Sequence, residues 1–67
     1  MYKYIKAIVD VKTGELVWEY QLEGSAVVGR MRHDEPVDGY TERDIIDLTC
    51  KMLDAEDQRN IVTVEYR

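Results

Sequence analysis

The fold is decided by residues 15–33, ELVWEYQLEGSAVVGRMRH, because they read as two strands joined by a tight turn. Apolar side chains recur at alternate positions of the first half, which is the pattern of a half-buried strand. They are Leu16, Trp18, Tyr20 and Leu22. Gly24-Ser25 suits the turn, since glycine accepts a positive φ. We therefore predict a β-hairpin.

The register of this hairpin follows from the turn. With Gly24-Ser25 at its tip, Trp18 lies opposite Met31 and Glu19 lies opposite Arg30. Apolar side chains then face apolar ones and an acid faces a base, whereas a slip of one residue would break both matches.

A third strand precedes the hairpin, since residues 2–11 also alternate. If Thr13-Gly14 is a two-residue turn, apolar residues again face one another. The predicted pairs are Val11 with Leu16, Val9 with Trp18 and Ile5 with Leu22. Residues 1–33 are thus predicted to form a β-meander.

The second half predicts a loop, a helix and a strand. Residues 34–40 form an acidic loop interrupted by Pro36 and Gly39. Thr41 is a good N-cap for a helix over 41–57. Its apolar positions, at helical spacing, are Ile45, Leu48, Met52 and Leu53. Residues 61–66 alternate as a last strand.

These elements predict an α+β fold in a single domain spanning residues 1–67. The order is βββαβ, with a four-stranded, mainly antiparallel sheet packed on one helix. An unpaired edge strand of such a sheet could also pair with a second copy, so a homodimer through a sheet edge stays open.

Charge is concentrated in one segment. The formal net charge is -5, yet residues 34–57 hold nine acidic against two basic side chains, a net of -7. Eight of these acids form our candidate partner-binding surface, called the acidic surface below. They are Asp34, Glu35, Asp38, Glu42, Asp44, Asp47, Asp54 and Asp57.

The acidic surface favours a basic partner. Direct binding to a phosphate backbone is not expected of so acidic a chain, whereas a row of carboxylates can occupy the basic groove of a nucleic-acid-binding protein. The alternative is an ordinary helix with a solvated charged face.

The open face of the sheet is a second candidate surface. Its predicted members are Tyr2, Tyr4, Lys6, Arg30 and Arg32. Aromatic and basic side chains together can bind single-stranded nucleic acid. Alternatively, acids on the middle strand such as Glu19 neutralise these bases across the ladder.

Catalysis, metal binding and cofactors are not expected. His33 is the only histidine and Cys50 the only cysteine, so neither a zinc cluster nor an intrachain disulfide is predicted. The βββαβ order is shared with ribonuclease H-like enzymes, in which Asp10 and Glu65 would be the acids to consider. Asp10 lies beside a turn, however, and we predict a non-enzymatic binding protein.

No apolar run approaches the roughly 20 residues that cross a bilayer, and the alternating first residues are unlike a signal peptide. We expect a cytoplasmic protein and no membrane association.

Two resemblances add to this interpretation. The segment Val27-Val28-Gly29-Arg30-Met31-Arg32, followed by an acidic loop and a helix, resembles small phage-encoded anti-CRISPR proteins of type I systems. That resemblance implies a compact, non-enzymatic inhibitor, from a phage or mobile element, that occludes surfaces of a host defence complex.

The second resemblance is to HicB-like antitoxins, whose βββαβ domain has a Gly-x-Thr-x-Glu helix start. Gly39, Thr41 and, one place early, Glu42 are the comparable residues. It implies a protein that neutralises a small toxin.

Overall fold

The computed structural model describes residues 1–67, and it confirms the βββαβ order. The elements are β1 Tyr2–Val9, β2 Leu16–Leu22, β3 Val28–Arg32, α1 Glu42–Met52, a 3₁₀ helix Glu56–Ile61 and β4 Val62–Tyr66. The 3₁₀ helix includes residues 58–60, for which the sequence predicted no regular structure, and it overlaps the ends of the predicted helix and of the predicted last strand.

The four strands form one sheet in the order β3-β2-β1-β4. The β1–β2 and β2–β3 pairs are antiparallel, and β4 runs parallel to β1. The predicted mainly antiparallel sheet packed on a helix is confirmed, and β3 and β4 are its two edges.

The hairpin register is confirmed. Trp18 pairs with Met31 and Glu19 pairs with Arg30. The regular ladder stops at Gln21 and Val28, so the connection between the strands is longer than a two-residue turn.

The predicted register of β1 against β2 is wrong by two residues. Trp18 pairs with Ala7 and Leu16 pairs with Val9. The cause is a wider connection, in which the Asp10 carboxylate accepts a hydrogen bond from the Lys12 backbone N–H at 2.9 Å. A shift of two keeps every side chain on its face, but it leaves Val11 outside the ladder and 63% exposed.

The helix is shorter than predicted. It ends at Met52, Leu53 is its C-cap, and Asp54 adopts a positive φ of 51°. Aspartate tolerates this left-handed conformation better than most residues, and the turn allows the buried Ala55 to donate its N–H to the Cys50 carbonyl at 2.9 Å. Asp54 and Asp57 therefore lie beyond the helix.

The buried stripe of α1 also differs from the prediction. Met52, expected in the core, is half exposed, whereas Thr49 and Cys50, expected on the flanks, are fully buried together with Ile45. The helix is rotated so that Thr49 can reach Trp18, and the threonine hydroxyl accepts a hydrogen bond from the indole Nε1–H at 2.8 Å. The same hydroxyl donates to the Ile45 carbonyl at 2.7 Å.

The predicted N-cap is confirmed. Thr41 accepts a hydrogen bond from the Asp44 N–H, and the Asp44 carboxylate accepts one from the Thr41 N–H at 3.0 Å. This reciprocal arrangement is a capping box. The hydrogen bonds from Thr41 hold the pKa of Asp44 below its ordinary value of 3.8.

A pH-dependent stability follows from the lowered pKa of Asp44. The stabilisation is complete above the unfolded pKa and is lost as the pH falls through the folded pKa. We expect Asp44→Asn to lower the urea midpoint at neutral pH, and we expect this difference to vanish as the pH falls below 3.8. A difference that persisted unchanged at a pH well below 3.8 would contradict the assignment. Glu42→Gln, in the same turn but without such a hydrogen bond, is the control.

Candidate functional site

The first part of the acidic surface is the loop 34–40, which is fastened to the β1–β2 connection. Val37 is buried, and its N–H donates to the Gly14 carbonyl at 2.8 Å. The Asp38 carboxylate lies directly against Gly14, where an added Cβ would come within 2.6 Å of Oδ1. These contacts place the loop acids at the end of the sheet where β1 stops.

The middle of the acidic surface is neutralised by a cation that the sequence analysis missed. Arg59 Nη1 lies 2.5 Å from the Asp47 carboxylate, and its Nη2 lies 2.7 Å from Glu56. The hydrogen bonds that Arg59 donates to Asp47 and then to Glu56 raise its pKa. Asp47 is therefore an ion-pair partner within the chain, and Asp44 is occupied by the helix cap.

The other six carboxylates of the acidic surface are exposed and form no ion pair or side-chain hydrogen bond. They fall into two groups rather than one row. One group lies on the loop and at the helix start: Asp34, Glu35, Asp38 and Glu42. The second, Asp54 and Asp57, follows the other end of α1. We call the first group the acidic end.

A shallow depression borders the acidic end. Its volume is about 230 Å³, and no apolar side chain of the core lines it. Asp34 and Glu35 line it together with Arg32, whose guanidinium is 2.6 Å from the Glu15 carboxylate. His33 is half-buried because its ring packs against Trp18 at 5.6 Å between centroids. The acidic side chains therefore project from a loop that begins directly after His33, whose ring is packed against the core.

The open sheet face contains four of the five residues predicted for it. Tyr2 is the exception, because the ladder is irregular between Tyr2 and Tyr4, and this irregularity turns Tyr2 toward the helix. Its hydroxyl donates to the Leu53 carbonyl at 2.8 Å, and its ring packs edge-on against Tyr20 at 5.8 Å. Burial raises the pKa of Tyr2.

The polar groups on the open face bind mainly to one another. Glu19 accepts hydrogen bonds from the Tyr4 hydroxyl at 3.2 Å and from Arg30 at 3.1 Å, and Lys6 lies 5.6 Å from the centre of the Tyr4 ring. Glu19 thus forms an ion pair with Arg30 across the ladder, whereas Arg32 pairs with Glu15. Beside it is a depression of about 180 Å³, lined by Ile8, Val17, Glu19, Arg30 and Arg67.

No group of three or more histidine, cysteine, aspartate or glutamate side chains is arranged to bind a metal ion. Cys50 is buried in the core, and burial raises the pKa of its thiol. No helix is both long and apolar enough to cross a membrane.

Comparison with protein-family models, with curated proteins and with solved structures finds no match for this chain.

Proposed function

We propose that the protein is a non-enzymatic binding protein whose acidic end docks on the basic, nucleic-acid-binding surface of a partner protein. The observation that supports this most is the group formed by Asp34, Glu35, Asp38 and Glu42, which are exposed and without ion pairs. Elsewhere the chain pairs many of its charges internally, as in Arg30 with Glu19 and Arg32 with Glu15.

Unpaired carboxylates on a fastened loop suit recognition of a cationic surface. The loop is anchored by Val37 and Gly14, so little conformational freedom is lost when it binds. Charge of one sign also speeds encounter with a surface of the opposite sign. A partner that normally holds a phosphate backbone presents such a surface.

The biological role we propose is inhibition of a nucleic-acid-handling host defence complex, the role implied by the resemblance to anti-CRISPR proteins. Binding to a small toxin, as implied by the HicB-like resemblance, is the alternative. Single-stranded nucleic acid binding is supported less, because Tyr4 and Arg30 are held by Glu19 and Tyr2 faces the helix.

The test is affinity capture from the native host with a triple variant, Asp34→Asn, Glu35→Gln and Glu42→Gln. These changes remove three charges but keep side-chain size, and they leave the Asp44 cap and the Asp47–Arg59 pair intact. We expect the triple variant to lose the partner that the wild type retains. We also expect that partner to be a nucleic-acid-binding protein.

The matched control is Glu23→Gln, which removes an exposed carboxylate after β2, outside the acidic surface. This variant should retain the partner. Equal retention by the triple variant and the wild type would overturn the proposal, and capture of a single small toxin would favour the antitoxin alternative.

A further inference from the structure

The outer edge of β4 is an unpaired strand in which Glu65 is the one charged side chain. β4 is the last strand of the sheet, and its sequence, VTVEY, contains no proline or lysine. Edge strands of monomers are commonly protected by such residues or by bulges. The β4 edge can therefore accept another strand.

The direction of the β4 backbone groups follows from its last contact with β1. Arg67 N–H donates to the Val9 carbonyl, and the Arg67 carbonyl accepts from Val11 N–H, so the backbone of Arg67 faces β1. Because alternate residues of a strand face the same way, Val62, Val64 and Tyr66 direct their backbone groups outward. Val62 N–H already donates a hydrogen bond to the Arg59 carbonyl.

We infer that the protein forms a homodimer in which β4 pairs antiparallel with β4 of a second copy, centred on Val64. In this register residues with outward backbone groups lie opposite one another. Val64 exchanges both backbone hydrogen bonds with its equivalent, and Tyr66 N–H donates to the Val62 carbonyl of the second copy. The result is one continuous sheet through both copies.

The side chains of β4 are complementary in the same register. Val64 lies beside Val64 of the second copy, and Val62 lies beside Tyr66, a pairing of β-branched with aromatic side chains that stabilises sheets. On the other face Thr63 lies opposite Glu65, so no like charges meet. Tyr66 is 50% exposed in the single chain, and pairing would cover part of its ring.

The opposite edge does not offer this complementarity. β3 carries Arg30 and Arg32, and if two β3 strands paired antiparallel about the centre of the strand, Arg30 would lie opposite Arg30 of the second copy. His33 N–H donates to the Leu16 carbonyl, so the backbone groups of His33 and of every second residue before it face β2. The backbone groups of the residues between them, including Val28, face outward. Val28 therefore provides a matched control position.

The experiment measures mass against concentration by sedimentation velocity, from about 1 μM to about 1 mM, the range that a modest interface requires. The wild type should change from 7.9 kDa to twice that mass. Val64→Pro removes the central donor without removing a bond to β1, so this variant should remain monomeric. Val28→Pro, the same exchange on the other edge, should dimerise as the wild type does.

A pair of variants at the exposed Thr63 keeps the test decisive if proline disturbs folding. Thr63→Glu places a carboxylate opposite Glu65 of the second copy, and Thr63→Lys places an ammonium there, while both lose the same hydrogen bond to Ile5. We expect dimerisation about fivefold weaker in the first and about fivefold tighter in the second. A wild type that stays monomeric, a Val28→Pro variant that does not dimerise, or equal effects of the two Thr63 variants would overturn the inference.

Discussion

Replacing Trp18 with alanine is expected to lower the free energy of unfolding by about 3–5 kcal/mol. The indole is 0% exposed and is the largest fully buried side chain. Its removal takes away packing between β2, α1 and His33, and it leaves the Thr49 hydroxyl without its indole partner. A domain of this length has a total stability of roughly 3–10 kcal/mol, so the variant should be largely unfolded or close to it at 25 °C.

Urea denaturation followed by far-UV circular dichroism measures this loss. Val27→Ala is the control, because Val27 is 74% exposed and its truncation should change stability by no more than about 0.5 kcal/mol. A Trp18→Ala variant that unfolded within about 1 kcal/mol of the wild type would show that the core is not organised around this residue.

Thr49→Val is expected to destabilise the protein by about 1–3 kcal/mol although it preserves side-chain shape. The hydroxyl is fully buried between the Trp18 Nε1–H and the Ile45 carbonyl. Without the Thr49 hydroxyl, the indole N–H is buried in an apolar environment with no hydrogen-bond acceptor. This unsatisfied donor accounts for most of the expected loss of stability.

A double-mutant cycle separates this hydrogen bond from packing. In a Trp18→Phe background the indole N–H is already absent, so Thr49→Val should cost clearly less than in the wild type. The measurement is the free energy of unfolding of the four proteins in urea. The same cost in both backgrounds would mean that the Trp18–Thr49 hydrogen bond contributes nothing.

The sequence predicted the fold well because alternation and charge matching constrain strands strongly. The β2–β3 register was predictable because both an apolar pair and an ion pair agree on it, as at Trp18–Met31 and Glu19–Arg30. The N-cap at Thr41 was equally clear.

The β1–β2 register was not predictable from alternation, since a shift of two residues preserves both faces. The register is set by the connection between β1 and β2, where the Asp10 carboxylate accepts hydrogen bonds from the backbone N–H groups of Lys12 and Thr13. The presence of Asp10 before Lys12-Thr13-Gly14 was the available signal, because aspartate side chains commonly bond to the backbone two residues later.

For the acidic surface, counting charges identified the segment but not which acids are free. Arg59 neutralises Asp47 because the chain turns at Asp54 and the 3₁₀ helix brings it back beside α1. The three-residue spacing of Arg59 from Glu56 indicated one of its ion pairs. The contact of Arg59 with Asp47 is tertiary, and no sequence pattern indicated it. The candidate surface is thereby reduced to the acidic end and the separate pair Asp54 and Asp57.

The most direct test of the proposed function is competition on the captured partner. The partner, bound to this protein, is titrated with duplex DNA and with single-stranded RNA, and release of the protein is followed by fluorescence anisotropy. If the acidic end occupies a nucleic-acid-binding surface, one of these nucleic acids should displace the wild type competitively, and added salt should weaken the complex. A stable ternary complex, with nucleic acid and this protein bound at undiminished affinity, would contradict the proposal.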